Sequence, residues 1–311
     1  MLSNTSSNIS SDQQEIDWKS FFLIILDHKI FISLFTLIVT LGIIVISLNT
    51  PNQYTASVLL KLSEEQLQTG SSPISGASGL ASLAGISLGG ANNNTSYAAA
   101  VLNSKKFLGH IANFPGVREN LTVANGYDFK TGKILYKSKY YDAEKQKWLQ
   151  TDVNGNPIIP SDLNVIDAIK SRMNVYIDFD TNFITITFRH FSPTFAFEFI
   201  NLLEGQLNAI ERDKDMRDSA RAISYLNKQL ESTRQTGIQN AIYQLIESQL
   251  KTQMLANIDE HYLVSPIDPA VIPEKKSFPF RRNIAIVAFI LSLLVSTIAV
   301  LLRHHYVRSQ S

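Results

Sequence analysis

The sequence predicts an α+β chain in which two transmembrane helices flank a mixed α/β membrane-proximal domain carrying one very long extended helix. Three observations lead there. Apolar runs of 19 residues without a charge stand near both ends, at 30–48 and 284–302. Between them, apolar and polar residues alternate with the period of a β-strand in at least two places. From Thr194 to Asn257 there is no proline, and apolar residues recur at helical spacing.

Composition narrows the function classes. The 311 residues hold 28 Lys plus Arg against 27 Asp plus Glu, with no cysteine. A formal charge of +1 gives the whole chain no pull on nucleic acid. Without cysteine, thiolate metal sites, CxxC redox chemistry, cysteine nucleophiles and disulfides are excluded. Charged residues make up 18%, below the roughly 25% of soluble proteins. A mean hydropathy of +0.02 agrees that part of the apolar content lies in lipid.

Nineteen helical residues at about 1.5 Å each cross a hydrocarbon core of about 30 Å. The hydroxyls in these runs (Ser33, Thr36, Thr40, Ser292, Ser296 and Thr297) can bond back to their own helix. The first run is an anchor and not a cleaved signal peptide. Its leader, 1–29, carries Asp12, Glu15, Asp17 and Asp27 against Lys19 and Lys29, and no small-residue cleavage pattern follows. Lys29, Arg303 and Arg308 flank the outer ends of the two runs, while Lys275, Lys276, Arg281 and Arg282 stand on the inner side. The positive-inside rule weakens for a loop as long as 49–283. Both termini, 1–29 and 303–311, are therefore expected in the cytoplasm, with 49–283 on the far side. Ala288, Ser292 and Ser296 place small residues four apart in the second run, which suits close helix packing.

After the first run, Pro51 to Leu62 reads as a turn and a strand. Gly, Ser and Ala then dominate 70–90, without the Gly-Lys-Ser/Thr ending of a phosphate loop. This stretch is a flexible loop or, through Leu80, Leu83, Gly85 and Leu88, a contact with another subunit. Tyr97 to Ile111 is expected to be helical. Residues 127–148 mix lysines with aromatics around the turn Lys130-Thr131-Gly132-Lys133. Either this is a solvated hairpin, or Lys137, Lys139, Tyr140, Tyr141 and Trp148 contact a glycan, rings stacking on sugars and ammonium groups meeting acidic substituents.

Ser161 or Asp162 caps a short helix. The alternating runs 175–180 and 183–188 around Thr181-Asn182 predict a β-hairpin. Ser192-Pro193 opens the long helical segment. Unbroken, 194–257 makes a rod of about 95 Å, too long to bury its apolar stripe on a small domain, so bundling or self-association is expected. Gly237 is the expected kink, and a true break there gives two antiparallel helices. The run Glu211 to Asp218 lacks the glycine of a calcium loop. It reads as a solvated helical face with Asp213 pairing Arg217. Pro266, Pro269 and Pro273 then impose an extended return. The histidines form no HxxxH or HExxH pair, and no GxSxG, GxGxxG or Walker sequence occurs. No catalytic, cofactor-binding or metal residue is assigned, and the chain is expected not to be an enzyme.

The order of these parts resembles the Wzz chain-length determinants, the polysaccharide co-polymerases of bacterial inner membranes. The residues that carry the likeness are Pro51, Tyr54 and Ala56; Leu102-Asn103-Ser104-Lys105; Ser192-Pro193 with Ala196 and Asn201; Tyr225-Leu226; and Asp268-Pro269-Ala270 with Pro273 and Pro279. The resemblance implies a periplasmic domain, a homo-oligomer, no cofactor, and regulation of chain length in O-antigen, common antigen, capsule or exopolysaccharide. It implies a Wzy-type polymerase and a lipid-linked glycan as partners. Relatives with a fused tyrosine kinase continue beyond the second run, whereas here only nine residues follow, which leaves a separate cytoplasmic kinase open as a partner. The second run also lacks the glycines frequent in the family. An inner-membrane adaptor for capsule or exopolysaccharide export shares the same plan and is the alternative.

Overall fold

The computed structural model describes residues 26–63, 91–258 and 260–310. Most of the leader lies outside them, as do Leu80, Leu83, Gly85, Leu88 and the rest of 70–90. The chain forms two compact units, one from Met1–Thr50 with Pro279–Ser311 and the other from Pro51–Phe278.

In the first unit, α1 (Lys29–Asn49) packs on α8 (Arg281–Gln310). Lys29–Asn49 and Arg281–Arg303 are long and apolar enough to cross a membrane. Ala288, Ser292 and Ser296 are buried, and Thr40 Oγ1 lies 3.4 Å from Ser292 Oγ. Small residues let two helices approach where apolar side chains gain nothing from leaving lipid. The hydroxyls of Thr36, Ser292, Ser296 and Thr297 donate to carbonyls three or four residues back. The Arg281 guanidinium donates to Ser47 O and Thr50 O. It thus places a cation on the unpaired carbonyls at the C-terminal end of α1.

The second unit is built on a four-stranded antiparallel sheet whose strands run, edge to edge, 173–178, 183–190, 54–62 and 264–268. Its strands are β1 (Tyr54–Leu62), β6 (Met173–Asp178), β7 (Phe183–His190) and β8 (Val264–Asp268). Alternation decides the register. Ala56 faces Phe188, Val58 faces Ile186 and Leu60 faces Ile184, so each apolar residue of β1 meets one of β7 on the buried face. The β6–β7 turn comes slightly early, over 179–182, because the Asp178 carboxylate accepts the N–H groups of Asp180 and Thr181. Asn182 takes the left-handed φ of 59°. Pro266 occupies edge strand β8, where a missing N–H leaves no interior bond unmade.

Helices α2 (Ala91–Asn103) and α3 (Lys105–Ile111) replace the single helix expected over 97–111. Ser104 ends one and caps the next, its Oγ accepting Phe107 N. Leu102, Leu108 and Ile111 from this pair reach the core, as do Val117 and Leu121 of α4 (Val117–Thr122) and Val165 and Ile169 of α5 (Asp162–Lys170).

The long helical segment is two helices, α6 (Pro193–Ser232) and α7 (Thr236–Ile258). At about 1.5 Å per residue they span some 60 Å and 35 Å, so the single 194–257 rod is corrected to a hairpin. The break falls at 233–235, before Gly237, which sits in the first turn of α7. Thr233 N bonds back to Leu230 O, and Gln235 O receives the N–H groups of Ile238 and Gln239. Folding back packs α7 on α6 and buries Ile242 and Ala256, while Tyr243, Leu245, Leu250 and Met254 stay exposed. The base of α6 (Phe195, Phe199, Ile200, Leu203 and Leu207) covers the sheet. Ser192 caps it, its Oγ accepting Phe195 N at 3.2 Å with Pro193 at the first position. Ser192→Ala is expected to lower unfolding free energy by about 1 kcal/mol, read as a lower thermal midpoint.

The charge run of 211–218 is also corrected. Glu211 is buried and accepts from Tyr97 Oη and Lys214 Nζ. Asp215 accepts from Tyr262 Oη at 2.7 Å. The ion pairs seen along this stretch join Lys214 to Glu211 and Arg221 to Asp218, in place of the expected Asp213–Arg217. Both acids are used because α2 and the returning chain pack against this stretch of α6.

Candidate functional site

Beside the sheet lies a small subdomain holding β2 (Ala124–Asp128), β3 (Lys133–Tyr136), β4 (Tyr141–Asp142) and β5 (Lys147–Trp148). The expected turn joins β2 to β3, with Asp128 paired to Lys133 and Gly132 at φ 68°. The Asp128 carboxylate accepts Lys130 N and the Thr131 hydroxyl, and the Lys130 N–H foremost holds its pKa below the ordinary range. A second hairpin follows, with Tyr141 opposite Trp148.

Local hydrogen bonding aims the side chains. Lys137 N donates to Val123 O at the end of α4, and the N–H groups of Tyr140 and Tyr141 both return to Lys137 O. Leu149 N donates to Tyr140 O, which ties β5 to the same turn. Next, Asp152 Oδ1 accepts Asn154 N and Asn156 N, closing a loop with Gly155 at φ 82°. Those N–H groups, that of Asn156 first, lower the Asp152 pKa. Ile158 N then donates to Gln150 O at 2.7 Å. Arg118 fixes the far side, donating to Pro160 O and, at 2.6 Å, to Asp162.

The result is a cleft of about 290 Å³ lined by Thr122, Val123, Lys137, Tyr140, Trp148, Gln150, Ile158, Ile159, Pro160 and Asn164. Its volume is near the lower end of ligand sites, about 300–1,000 Å³. Two aromatic rings, exposed isoleucines and one ammonium group suit a ligand with apolar faces and hydroxyl or acidic edges. Asn164 and Gln150 supply hydrogen-bond capacity in the lining.

Of the five expected glycan residues, Lys137, Tyr140 and Trp148 therefore meet at one cleft. Tyr141 does not. It is 8% exposed, its ring 5.2 Å from both Tyr136 and Trp148, so it supports Trp148 from behind. Lys139 is not part of the lining, although its Nζ lies 5.7 Å from the centroid of the Tyr140 ring. The lining residues from 150 to 164 are not legible in the sequence, because Ile158 and Ile159 carry no periodic signal in a loop.

Asn120 ties the subdomain to the sheet. Its Oδ1 accepts from Tyr136 Oη at 2.5 Å and its backbone oxygen lies 2.9 Å from His190 Nε2. Burial above all pushes the Tyr136 hydroxyl up to about 12. Ser192 N donates to His190 Nδ1, so the imidazole is neutral with its proton on Nε2.

The fold and cleft together define a class: an α+β domain between two membrane-length helices in the chain, with an aromatic-lined cleft and a helical hairpin. No protein-family model matches the chain, and no curated protein matches it. Among solved structures, the chain matches one described as a full-length bacterial polysaccharide co-polymerase. The identity is 12% and the TM-score 0.38, over 94% of this chain and 99% of that one.

Proposed function

We propose that this chain is an inner-membrane, non-enzymatic regulator of bacterial polysaccharide chain length. In this reading it acts as a homo-oligomer with a Wzy-type polymerase on a lipid-linked glycan, both termini in the cytoplasm and 49–283 in the periplasm. The observation that carries it is the cleft of Lys137, Tyr140 and Trp148, whose rings and ammonium group suit a sugar with acidic or hydroxyl edges. The two membrane-length helices and the sequence resemblance to the Wzz determinants support the setting. The absence of any sequence motif with a catalytic mechanism supports a regulatory role.

The test is the surface-polysaccharide ladder of a deletion strain complemented with the full-length gene. Loss of the modal band with polymer retained, restored on complementation, is the expected result. Complete loss of surface polymer would favour the export adaptor, and an unchanged ladder would sink both. Trp148→Ala is expected to weaken binding of the purified host oligosaccharide by about tenfold, the scale of one aromatic contact at a binding site. Titration calorimetry on the full chain in neutral detergent checks it.

A further inference from the structure

Arg172 and Arg189 stand side by side where the β6–β7 ladder runs out, with Arg189 N donating to Arg172 O at 3.0 Å. Along β7 the buried residues are Ile184, Ile186, Phe188 and His190, so Arg189 projects from the opposite face of the sheet. Each guanidinium lies over an aromatic ring. The Arg172 carbon is 5.8 Å from the Phe191 centroid, and that of Arg189 is 5.2 Å from the Phe278 centroid.

Among the described residues, no carboxylate pairs with either arginine. Among the same residues, Arg172 Nη1 and Arg189 Nε are buried and find no hydrogen-bond acceptor. Burial first, and then the charge of Arg189, pull the Arg172 pKa below its ordinary value. Adjacent like charges with orphaned donors destabilise the free protein. Ring stacking occupies the faces of the guanidinium groups and leaves their edges to donate, the geometry that meets a tetrahedral oxyanion with two parallel bonds. Thr55 pairs with Arg189 across the ladder, and its Oγ1 lies 2.7 Å from Ser277 Oγ, which donates to Gln53 O.

We propose that Arg172 and Arg189 form a binding site for a phosphate group. Two sources share that chemistry: phosphate in solution and the headgroup of an anionic lipid. Phe278 stands three residues before Arg281, where the second apolar helix begins, so a lipid phosphate is a source to be tested beside the soluble one. The site is independent of the glycan cleft and of the chain-length reading.

The experiment is thermal unfolding of the full-length protein in neutral detergent. The probes are inorganic phosphate in the buffer and phosphatidic acid in the micelle. The controls are chloride at matched ionic strength and phosphatidylcholine. A rise of a few degrees at saturation, absent from the controls, is expected with at least one probe. Phosphate alone active identifies a soluble ligand, phosphatidic acid alone a headgroup, and both active a site that takes the group from either source. Arg189→Lys keeps the charge and loses the fork, and it is expected to weaken the active probe about tenfold. Arg172→Gln should do the same. No shift with either probe, a shift equalled by the controls, or an unchanged affinity in both variants overturns the proposal.

Discussion

Asn208→Ala is expected to destabilise the protein by about 2–4 kcal/mol, the combined effect of orphaning several buried backbone groups. Asn208 is buried on α6 and makes three bonds to the chain returning from the helical hairpin. Its Oδ1 accepts Leu263 N at 2.8 Å and Val264 N at 2.9 Å, and its Nδ2 donates to Val264 O at 2.9 Å. A methyl group replaces none of them. Because Val264 opens β8, the edge strand on β1, the damage should spread to that pairing. Asn208→Asp is the finer probe. It keeps the two acceptor bonds, loses the donor and sets a carboxylate against a carbonyl, so it too should destabilise. Chemical unfolding of the full chain in neutral detergent, followed by circular dichroism, measures both. A change below about 0.5 kcal/mol, the size expected of a neutral surface substitution, would mean that the return segment is not held by Asn208.

The second large effect depends on pH. Burial is the first cause that pulls the His190 pKa down to about 4 from 6.5, opposed by the hydrogen bond to Asn120 O and reinforced by the Arg172 charge; protonation would also cost Nδ1 the bond it accepts from Ser192 N. The sign follows from proton uptake. Below pH 6.5 the unfolded chain takes a proton on His190, while the folded chain refuses it until about pH 4. Stability is therefore undiminished above pH 6.5 and falls by on the order of 3 kcal/mol as pH drops to 4. Glu204 works the other way. Burial raises its pKa against the opposing pull of His261, so its contribution is present at low pH and is lost as pH rises through its folded value. Unfolding midpoints of wild type and His190→Gln between pH 7.5 and 4.5 separate the two. The wild-type protein should show the extra loss and the variant should not. Parallel curves would place the acid sensitivity elsewhere.

Particular residues show how much was legible along the chain. The apolar runs, the alternation of β1 and β7, and the caps at Ser161 and Ser192 each depend on neighbours within a few positions, so period and residue type reveal them. Half of the cleft was legible for the same reason, since Lys137, Tyr140 and Trp148 fall in one lysine-rich aromatic stretch. The rest of its lining was not, because nothing local brings Ile158, Ile159 and Asn164 to the same cavity. Tyr140 and Tyr141 are adjacent and chemically identical, yet one lines the cleft and the other is buried.

By itself, then, the sequence determined what short-range physics decides: two helices long and apolar enough to span a membrane, an antiparallel hairpin with a buried face, and a helical segment too long to stand alone. Only the tertiary structure decided where that segment doubles back, that Glu211 and Asp215 leave the solvated face, and that Asn120, His190 and Asn208 tie distant segments together. Asn208 meets Val264 across 56 positions and Tyr97 meets Glu211 across 114. A side chain's fate at such separations is set by which surfaces pack together and which buried polar groups then need partners, and no periodicity along the chain records that.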